Sequence, residues 1–213
     1  MNQLMFSTPS FQVHVATRSD HSALAQFCRD NPAYDVFLTG DLPEENEWVE
    51  DFLTEVPPAH FGWTATHKLI VTIPDDTADI VAVIDVTEDM IGKGVGHIGL
   101  FQVAERLHGS GIAREVYDGL EQWLISLGTK VMRLGVLDGN ARGMAFWNRL
   151  GYLPTRTRIA TALTCKQQLT YVMYKPLLPT TLKQYRDLVP RDHPDAPCWH
   201  GADFCCEFYK LCV

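Results

Sequence analysis

The amino-acid sequence predicts an α/β (α+β) protein whose mixed central β-sheet has about six or seven strands flanked by helices, with a C-terminal tail. The first observation is a buried strand, a glycine-containing loop and an amphipathic helix that follow one another within residues 95–128. The second is the order strand, helix, strand, helix across residues 95–151, which favours parallel pairing of the two strands. The third is a pair of apolar-alternating segments, 152–160 and 168–174, which predict a closing antiparallel hairpin.

The N-terminal half supplies the other predicted elements. Alternation of apolar with polar residues over 11–15 predicts a half-buried first strand, and a capped helix follows that ends near Arg29. An acidic helix is expected over about 44–56. The segments 68–73 and 79–86 predict a hairpin, because a Pro-Asp-Asp sequence typical of turns lies between them.

The segment 108–113, with the sequence HGSGIA, connects the strand 97–103 to the helix 111–127, which ends at Gly128. A helix N-terminus offers free backbone N–H groups and a partial positive charge. Glycines there remove the side chains that would keep a phosphate away from those donors. The loop therefore favours a cradle for a pyrophosphate, with a purely steric use of glycine in the turn as the alternative.

This loop and the segment after it resemble the GCN5-related N-acetyltransferase (GNAT) family. The acetyl-CoA loop of that family follows the pattern Arg/Gln-x-x-Gly-x-Gly/Ala, which His108, Gly111 and Ala113 match with His in the first position. The segment 140–152, NARGMAFWNRLGY, is similar to the second signature of the family, Asn-x-x-Ala/Gly followed by Phe-Tyr-x-x-x-Gly-Phe. The resemblance covers about residues 11–177 and implies the GNAT fold.

Two domains are expected, a GNAT domain over 1–178 and a Cys-containing tail over 179–213. Four cysteines and a histidine of the tail are potential zinc ligands, but their spacing matches no common zinc site, so no metal is expected. These residues are Cys198, His200, Cys205, Cys206 and Cys212. Packing of an apolar tail, docking of a partner and disorder remain the other interpretations.

The resemblance implies acetyl-CoA as the cosubstrate. By this comparison the strand at 101–103 presents backbone groups to the pantetheine arm, and the loop 108–113 holds the pyrophosphate. Asn140 would lie near the arm, although an N-cap role in its helix explains the residue as well. The predicted cofactor-binding residues are Phe101, Gln102, Val103, His108, Gly109, Ser110, Gly111, Ile112, Ala113, Asn140 and Trp147.

The amine must lose a proton before it attacks, because an alkylammonium with a pKa of about 10 is no nucleophile at neutral pH. In several family members a glutamate of the central strand is the base, and the matching position here is His97. An imidazole suits that task, but a structural role for this histidine remains the alternative. Asp85 and Glu88 are the other candidates.

The general acid is not identified by the sequence. Many family members have a Tyr that is proposed to protonate the departing thiolate, and this chain has Trp147 at that position. An indole cannot donate that proton, but a thiol with a pKa of about 8.5 already leaves readily. Trp147 is expected to pack against the pantetheine arm or the core, and neither Tyr117 nor Tyr152 is placed at the thioester by the sequence.

The net charge of −8, from 18 Lys and Arg against 26 Asp and Glu, argues against nucleic-acid binding. Residues 106–149 carry six Lys or Arg against four acids, and this local charge of +2 suits a polyanionic cofactor or is an uneven scatter of surface charge. Residues 41–55 hold seven acids and no base, which either attract a cationic amine or form a solvated face. No long apolar span and no secretion signal are present, so a cytoplasmic protein is predicted.

The sequence thus predicts a cytoplasmic N-acetyltransferase that acts on a small amine, with a homodimer as a possible assembly and no membrane or nucleic-acid partner. Acetylation of a protein N-terminus or lysine is one alternative, and a non-catalytic acyl-CoA-binding module is another. A dinucleotide-dependent dehydrogenase is poorly supported, because no Gly-x-Gly-x-x-Gly follows an N-terminal strand.

Overall fold

The computed structural model describes residues 3–74, 76–161 and 167–196. The strands are β1 (Leu4–Ser7), β2 (Gln12–Val15), β3 (Ala65–Ile73), β4 (Asp76–Glu88), β5 (Val95–Val103), β6 (Val131–Leu137), β7 (Leu153–Thr161) and β8 (Gln167–Pro176). The α-helices are α1 (His21–Asp30), α2 (Ala33–Thr39), α3 (Glu45–Thr54), α4 (Ile112–Ser126), α5 (Ala141–Arg149) and α6 (Leu182–Leu188). Cys165 and the five potential zinc ligands of the tail lie outside the described residues.

The described strands form one mixed sheet in the order β1-β2-β3-β4-β5-β6-β8-β7. The pairing of β5 with β6 is parallel, as predicted, whereas β1–β2, β2–β3, β6–β8 and β7–β8 are antiparallel. The predicted fold class is confirmed, but the sheet has eight strands where six or seven were expected. The additional strand is β1, a four-residue segment too short to show an alternation of its own.

The sequence analysis did not predict the helix α2, because it gave no element between the helix that ends near Arg29 and the acidic helix over about 44–56. Tyr34 and Leu38 are buried on one face of this helix, four residues apart. Gly40 ends α2 with a left-handed backbone, at φ 90°. Its seven residues are too few for a clear helical period in the sequence, so packing rather than propensity defines it.

The described residues belong to two compact units. The first consists of Met1–Val56, Thr66–Asp85 and Phe101–Leu127. In this unit the rings of Phe6 and Trp123 stack at 5.6 Å between centroids. The Thr8 hydroxyl donates to Glu115 Oε1 at 2.7 Å, and this bond lowers the pKa of the Glu115 carboxyl. These contacts fix α4 against the β1–β2 hairpin and therefore fix the start of α4 as well.

The second unit consists of Pro57–Ala65, Val86–Leu100 and Gly128–Val213. Its described core includes Val95 of β5 and Val131 of β6, and the ring of Tyr185 stacks on that of Tyr174 at 4.5 Å. The short helix α6 therefore packs onto β8. The 3₁₀ turn Pro190–Asp192 follows α6. The predicted division into 1–178 and 179–213 stays a prediction.

Candidate active site

The loop between β5 and α4 has an open backbone built on two glycines. Gly109 and Gly111 have φ values of 82° and 94°, in the left-handed region that other residues rarely adopt. A Cβ added to either glycine would meet no heavy atom within 4 Å. Steric crowding by the protein therefore does not explain these glycines, and the space beside the backbone is available to a ligand.

Three amide groups around the start of α4 have no acceptor among the described residues. Within the part of the chain that the structure describes, the N–H groups of Gly109, Gly111 and Ala113 have no acceptor. Ser110 turns its hydroxyl back to the carbonyl of Leu107 at 2.6 Å. Free donors at the positive end of a fifteen-residue helix fit the pyrophosphate of a CoA molecule.

His108 fixes the loop to the end of β5. Its Nε2 lies 3.0 Å from the carbonyl oxygen of Val103, so this ring braces the loop at the position where the family has Arg or Gln. The neighbouring Gln102 is buried and donates from Nε2 to the Asn31 carbonyl at 2.9 Å. Phe101 packs edge-on against Tyr117 at 6.4 Å. Each residue of the predicted segment 101–103 is therefore held by a contact with another part of the chain.

A cavity of about 350 Å³ lies in the first unit, between α1, the start of β4 and the residues that follow β5. Phe27 and Ile80 contribute apolar surface to it. Its charged lining consists of Asp30, Asp79 and Arg106, and the last two form an ion pair. Asp30 therefore gives the lining a net charge of −1, which suits a small cationic ligand.

Asp85 is a buried carboxyl group in β4. It is 5% exposed, and its Oδ2 accepts a hydrogen bond from Lys68 Nζ at 2.7 Å. Its Oδ1 is buried and has no hydrogen-bond partner among the described residues. Burial raises the pKa of Asp85 and outweighs the opposing effect of the Lys68 ammonium. A carboxylate of raised pKa with one oxygen available is suited to accept a proton. Glu88, the third candidate base, is half-buried at the end of the same strand.

His97 lies in the second unit, beside two charged residues that the sequence analysis did not single out. The parallel register places His97 opposite Arg133, and Arg133 Nη1 lies 3.3 Å from His97 Nδ1. Arg133 is 1% exposed and pairs with Asp192, Nε to Oδ2, at 2.7 Å. One signal for this site was visible in the sequence, because Arg133 is a charged residue within an otherwise apolar strand.

Asp192 is fully buried and carries the charge that balances Arg133. Burial raises its pKa, but the Arg133 guanidinium, the Tyr185 hydroxyl and Arg158 outweigh that effect and hold the pKa at about 2. Burial and the Asp192 charge in turn raise the pKa of Tyr185 well above its ordinary value. With a pKa of about 2, Asp192 is an ionised carboxylate at neutral pH.

The two predicted cofactor residues of α5 have structural roles. Asn140 is the N-cap, and its Oδ1 accepts from the Gly143 amide at 2.8 Å. Trp147 is fully buried and packs edge-on against Tyr152 at 5.1 Å. Tyr117 and Tyr152 are both buried as well. Neither cofactor role is tested by these contacts, and both stay predictions.

Replacement of Asn140 by Ala is expected to lower the free energy of unfolding by about 1 kcal/mol, because the cap of α5 is lost. Asn140→Asp keeps the acceptor and is expected to retain that stability. Urea unfolding of both variants measures the cap, and calorimetry with CoA measures any cofactor contact separately. A stability change below the measurement error in Asn140→Ala would contradict the capping role.

The acidic stretch 41–55 is partly neutralised by ion pairs. Glu50 pairs with Arg18 at 2.7 Å, and Glu45 pairs with Arg29 at 3.1 Å. Both pairs are solvent-exposed.

The described residues contain no group of three or more His, Cys, Asp and Glu side chains that could hold a metal ion. None of the described helices combines the length and apolar character needed to cross a membrane.

Comparison with known proteins defines the class. The family model "Acetyltransferase (GNAT) family" matches residues 34–152, which is more than half of the chain. The protein belongs to the GNAT acetyltransferase family, and is accordingly an enzyme of the N-acetyltransferase class. The family uses acetyl-CoA, and the open loop 108–113 fits that molecule. No curated protein sequence matches the chain significantly.

Solved structures with the same fold act on different acceptors. The ribosomal-protein-S18-alanine N-acetyltransferase of Escherichia coli is 13% identical, with a TM-score of 0.56 over 81% of this chain and 97% of that one. The spermidine N-acetyltransferase of Vibrio cholerae, in complex with CoA and spermine, is 12% identical, with a TM-score of 0.59 over 78% and 95%. A probable GNAT acetyltransferase of Chromobacterium violaceum gives 16% identity and a TM-score of 0.66 over 80% and 85%. At these identities the likeness shows the fold, and the acceptor is left open.

Proposed function

We propose that this protein transfers the acetyl group of acetyl-CoA to the primary amine of a small molecule. The amine nitrogen attacks the thioester carbon, the carbon–sulfur bond breaks, and CoA leaves as the thiolate, which takes a proton from water. The observation that carries the proposal is the loop 108–113, where two left-handed glycines and three unpartnered amides leave room for a pyrophosphate. Phe101–Val103, Asn140 and Trp147 are proposed as further cofactor contacts on the family pattern.

The cavity beside α1 supports a small acceptor. Its volume of about 350 Å³ lies within the range of small-molecule sites, and Asp30 supplies a negative charge for an ammonium group, since the charge of Asp79 is balanced by Arg106. Among the structures of the same fold, the spermidine N-acetyltransferase is named for an amine of this kind. Acetylation of a protein N-terminus is the second candidate, because the S18-alanine N-acetyltransferase shares the fold as well.

Acetyl transfer is tested by steady-state thiol release with a panel of diamines, polyamines, amino-acid esters and short peptides. We expect turnover with at least one small amine and little with peptides. Turnover with peptides alone would support the protein-directed alternative. Binding of CoA without turnover of any acceptor would support a non-catalytic acyl-CoA-binding module.

We propose His97 as the group that removes the amine proton, because it lies at the position of the glutamate base of the family. Asp85 is the second candidate, because it is a buried carboxyl group. The pKa of Asp85 is raised by burial, and one of its oxygens is unpartnered among the described residues. If Asp85 is the base, Asp85→Asn is expected to lower kcat by 10²–10⁴-fold and to remove the acidic limb of the pH–rate profile. His97→Gln would leave that limb in place. The opposite pattern would assign the base to His97.

A cytoplasmic location, a homodimer and the absence of a nucleic-acid partner complete the proposal. The net charge of −8 supports the last of these, since nucleic-acid binding depends on neutralising phosphates. Light scattering after size-exclusion chromatography tests the dimer directly. A monomer at micromolar concentration would contradict it.

A further inference from the structure

We propose that the cavity beside α1 takes an amine with a single positive charge and an apolar body, and that Arg106 selects against diamines and polyamines. This inference rests on the proposed function and narrows the substrate class of the same cavity. Arg106 is then a residue that determines specificity. The acceptor differs in charge from the polyamine for which the spermidine N-acetyltransferase of the same fold is named.

The cavity adjoins the chain segment that is proposed to hold the cofactor. Ala104 lines the cavity and directly follows Val103. Arg106 also lines it and precedes His108, the first residue of the loop 108–113, by two positions. The whole lining and the segment 101–113 belong to the first unit. An amine in the cavity therefore lies beside the proposed cofactor segment within one compact unit.

The wall of the cavity at the end of α1 is fixed by Asn31, which is buried. Its Nδ2 donates to the Phe27 carbonyl at 2.6 Å, and its Oδ1 accepts from the Glu105 amide at 2.6 Å. Its own carbonyl accepts from Gln102 Nε2 at 2.9 Å. The end of α1 is thus tied to β5 and to the residues that follow it. A fixed wall lowers the entropy cost of binding a ligand.

The last turn of α1 favours a positive charge in the cavity. It contributes Gln26 and Asp30 to the lining, and the C-terminal end of a helix carries a partial negative charge. Gln26 Nε2 donates to Asp30 Oδ2 at 2.8 Å and thereby orients the carboxylate. Within the described part of the chain, Oδ1 has no such donor, so it is available to accept from one ammonium group.

The remaining lining favours an apolar body on the ligand. Phe27, Ile80 and Ala104 line the cavity and are otherwise buried. A hydrocarbon chain or ring that contacts these side chains is removed from water, which stabilises the complex. A second ammonium group on the same chain would instead be brought against apolar surface and lose hydration.

Arg106 limits the charge that the cavity accepts. Its guanidinium donates to Asp79 Oδ1 and leaves the lining with a net charge of −1. One ammonium group balances that charge, whereas a second would leave an excess of +1 and would be repelled by the guanidinium. The side chains of Arg106 and Asp79 are 49% and 41% exposed, so we expect an effect typical of surface charges, about fivefold in affinity.

Isothermal calorimetry with the full-length protein, saturated with CoA, tests the preferred charge. The probes are n-pentylamine, 1,5-diaminopentane and spermidine. We expect n-pentylamine to bind more tightly than the other two. Equal or tighter binding of the diamine or of spermidine to the wild-type protein would overturn the inference, and so would the absence of binding by n-pentylamine.

A charge-removing variant tests the role of Arg106. Arg106→Gln is compatible with folding, because it removes one partner of an exposed ion pair. We expect the ratio of diamine affinity to monoamine affinity to rise about fivefold, since a dication gains more than a monocation. Arg106→Lys keeps the charge and should leave the ratio unchanged. Arg18→Gln is the matched control, because Arg18 forms an exposed ion pair in the same unit but does not line the cavity.

An unchanged ratio in Arg106→Gln, or the same change in Arg18→Gln, would overturn the role of Arg106. Asp30→Asn is expected to weaken the binding of n-pentylamine about fivefold. An unchanged affinity in that variant would show that the amine binds outside this cavity and would overturn the inference.

Thiol release from acetyl-CoA with the same amines separates this inference from the proposed function. Binding in the expected order without thiol release would overturn acetyl transfer and leave the charge preference of the cavity standing. Thiol release that is faster with spermidine than with n-pentylamine would overturn the inference and leave acetyl transfer standing.

Discussion

Replacement of Gly111 by Val is expected to weaken CoA binding at least about 100-fold. Gly111 has φ 94°, and a β-branched residue there costs about 1–3 kcal/mol of backbone strain or forces the start of α4 to rearrange. The new side chain would also occupy the open space beside the unpartnered amides. Both effects remove donors from the pyrophosphate. Isothermal calorimetry with CoA measures the loss.

A second glycine supplies the control for this variant. Gly128 ends α4 with φ 96° and likewise has no heavy atom within 4 Å of an added Cβ. Gly128→Val therefore introduces the same strain at the other end of the same helix, away from the loop. We expect it to lower stability and to leave CoA affinity within about twofold. Equal losses of affinity in both variants would show that the effect comes from strain in α4, and the loop would lose its proposed role.

The central part of the fold could be predicted because its patterns are long. The apolar stripe of α4 and the strands on either side gave clear periods, and the structure has α4 at Ile112–Ser126 and β6 at Val131–Leu137. The N-cap at Asn140 followed from residue type alone. In contrast, β1 and α2 contain four and seven residues, too few to show a period. Packing against neighbouring elements determines whether such short elements form, and the pattern of a single sequence does not show that packing.

The loop at 108–113 was predictable from its glycines, whereas the surroundings of His97 were not. The contact of His97 with Arg133 depends on the register between two strands that are 36 residues apart in sequence. Asp192 reaches Arg133 from 59 residues further on. Long-range pairing of this kind depends on the register of the strands, and local sequence patterns do not predict that register. The base role predicted for His97 was therefore inferred without its neighbour Arg133.

Replacement of Asp192 by Asn is expected to lower the free energy of unfolding by about 3 kcal/mol. The Asn side chain has nearly the same shape but no charge, so the buried Arg133 guanidinium loses its counterion. Arg158 also contacts Asp192, so it loses part of the negative charge that balances its own positive charge. Urea unfolding at pH 7 measures the change. The exposed pair of Lys183 and Asp187 provides the control, because Asp187→Asn is expected to cost less than about 1 kcal/mol.

The pH dependence of stability tests the same charge without a change in packing. The pKa of Asp192 is about 2 in the folded protein, below the value near 3.8 of an unperturbed Asp, so the folded state favours the ionised form. Such a group contributes stability that is fully present above the unfolded pKa and is lost as the pH falls through the folded pKa. The wild-type protein is therefore expected to lose about 2 kcal/mol from this group between about pH 5 and pH 2, at about 1.36 kcal/mol per pKa unit.

Asp192→Asn has no carboxyl group at this position, so its stability should fall less steeply than that of the wild type over that pH range. The two unfolding curves are expected to converge as the pH approaches 2, because protonation of the wild-type carboxyl reproduces the uncharged variant. Parallel curves would mean that Asp192 titrates alike in the folded and unfolded states. The ion pair with Arg133 would then do no more than offset the cost of burying the Asp192 carboxylate, and the expected net stabilisation would be absent.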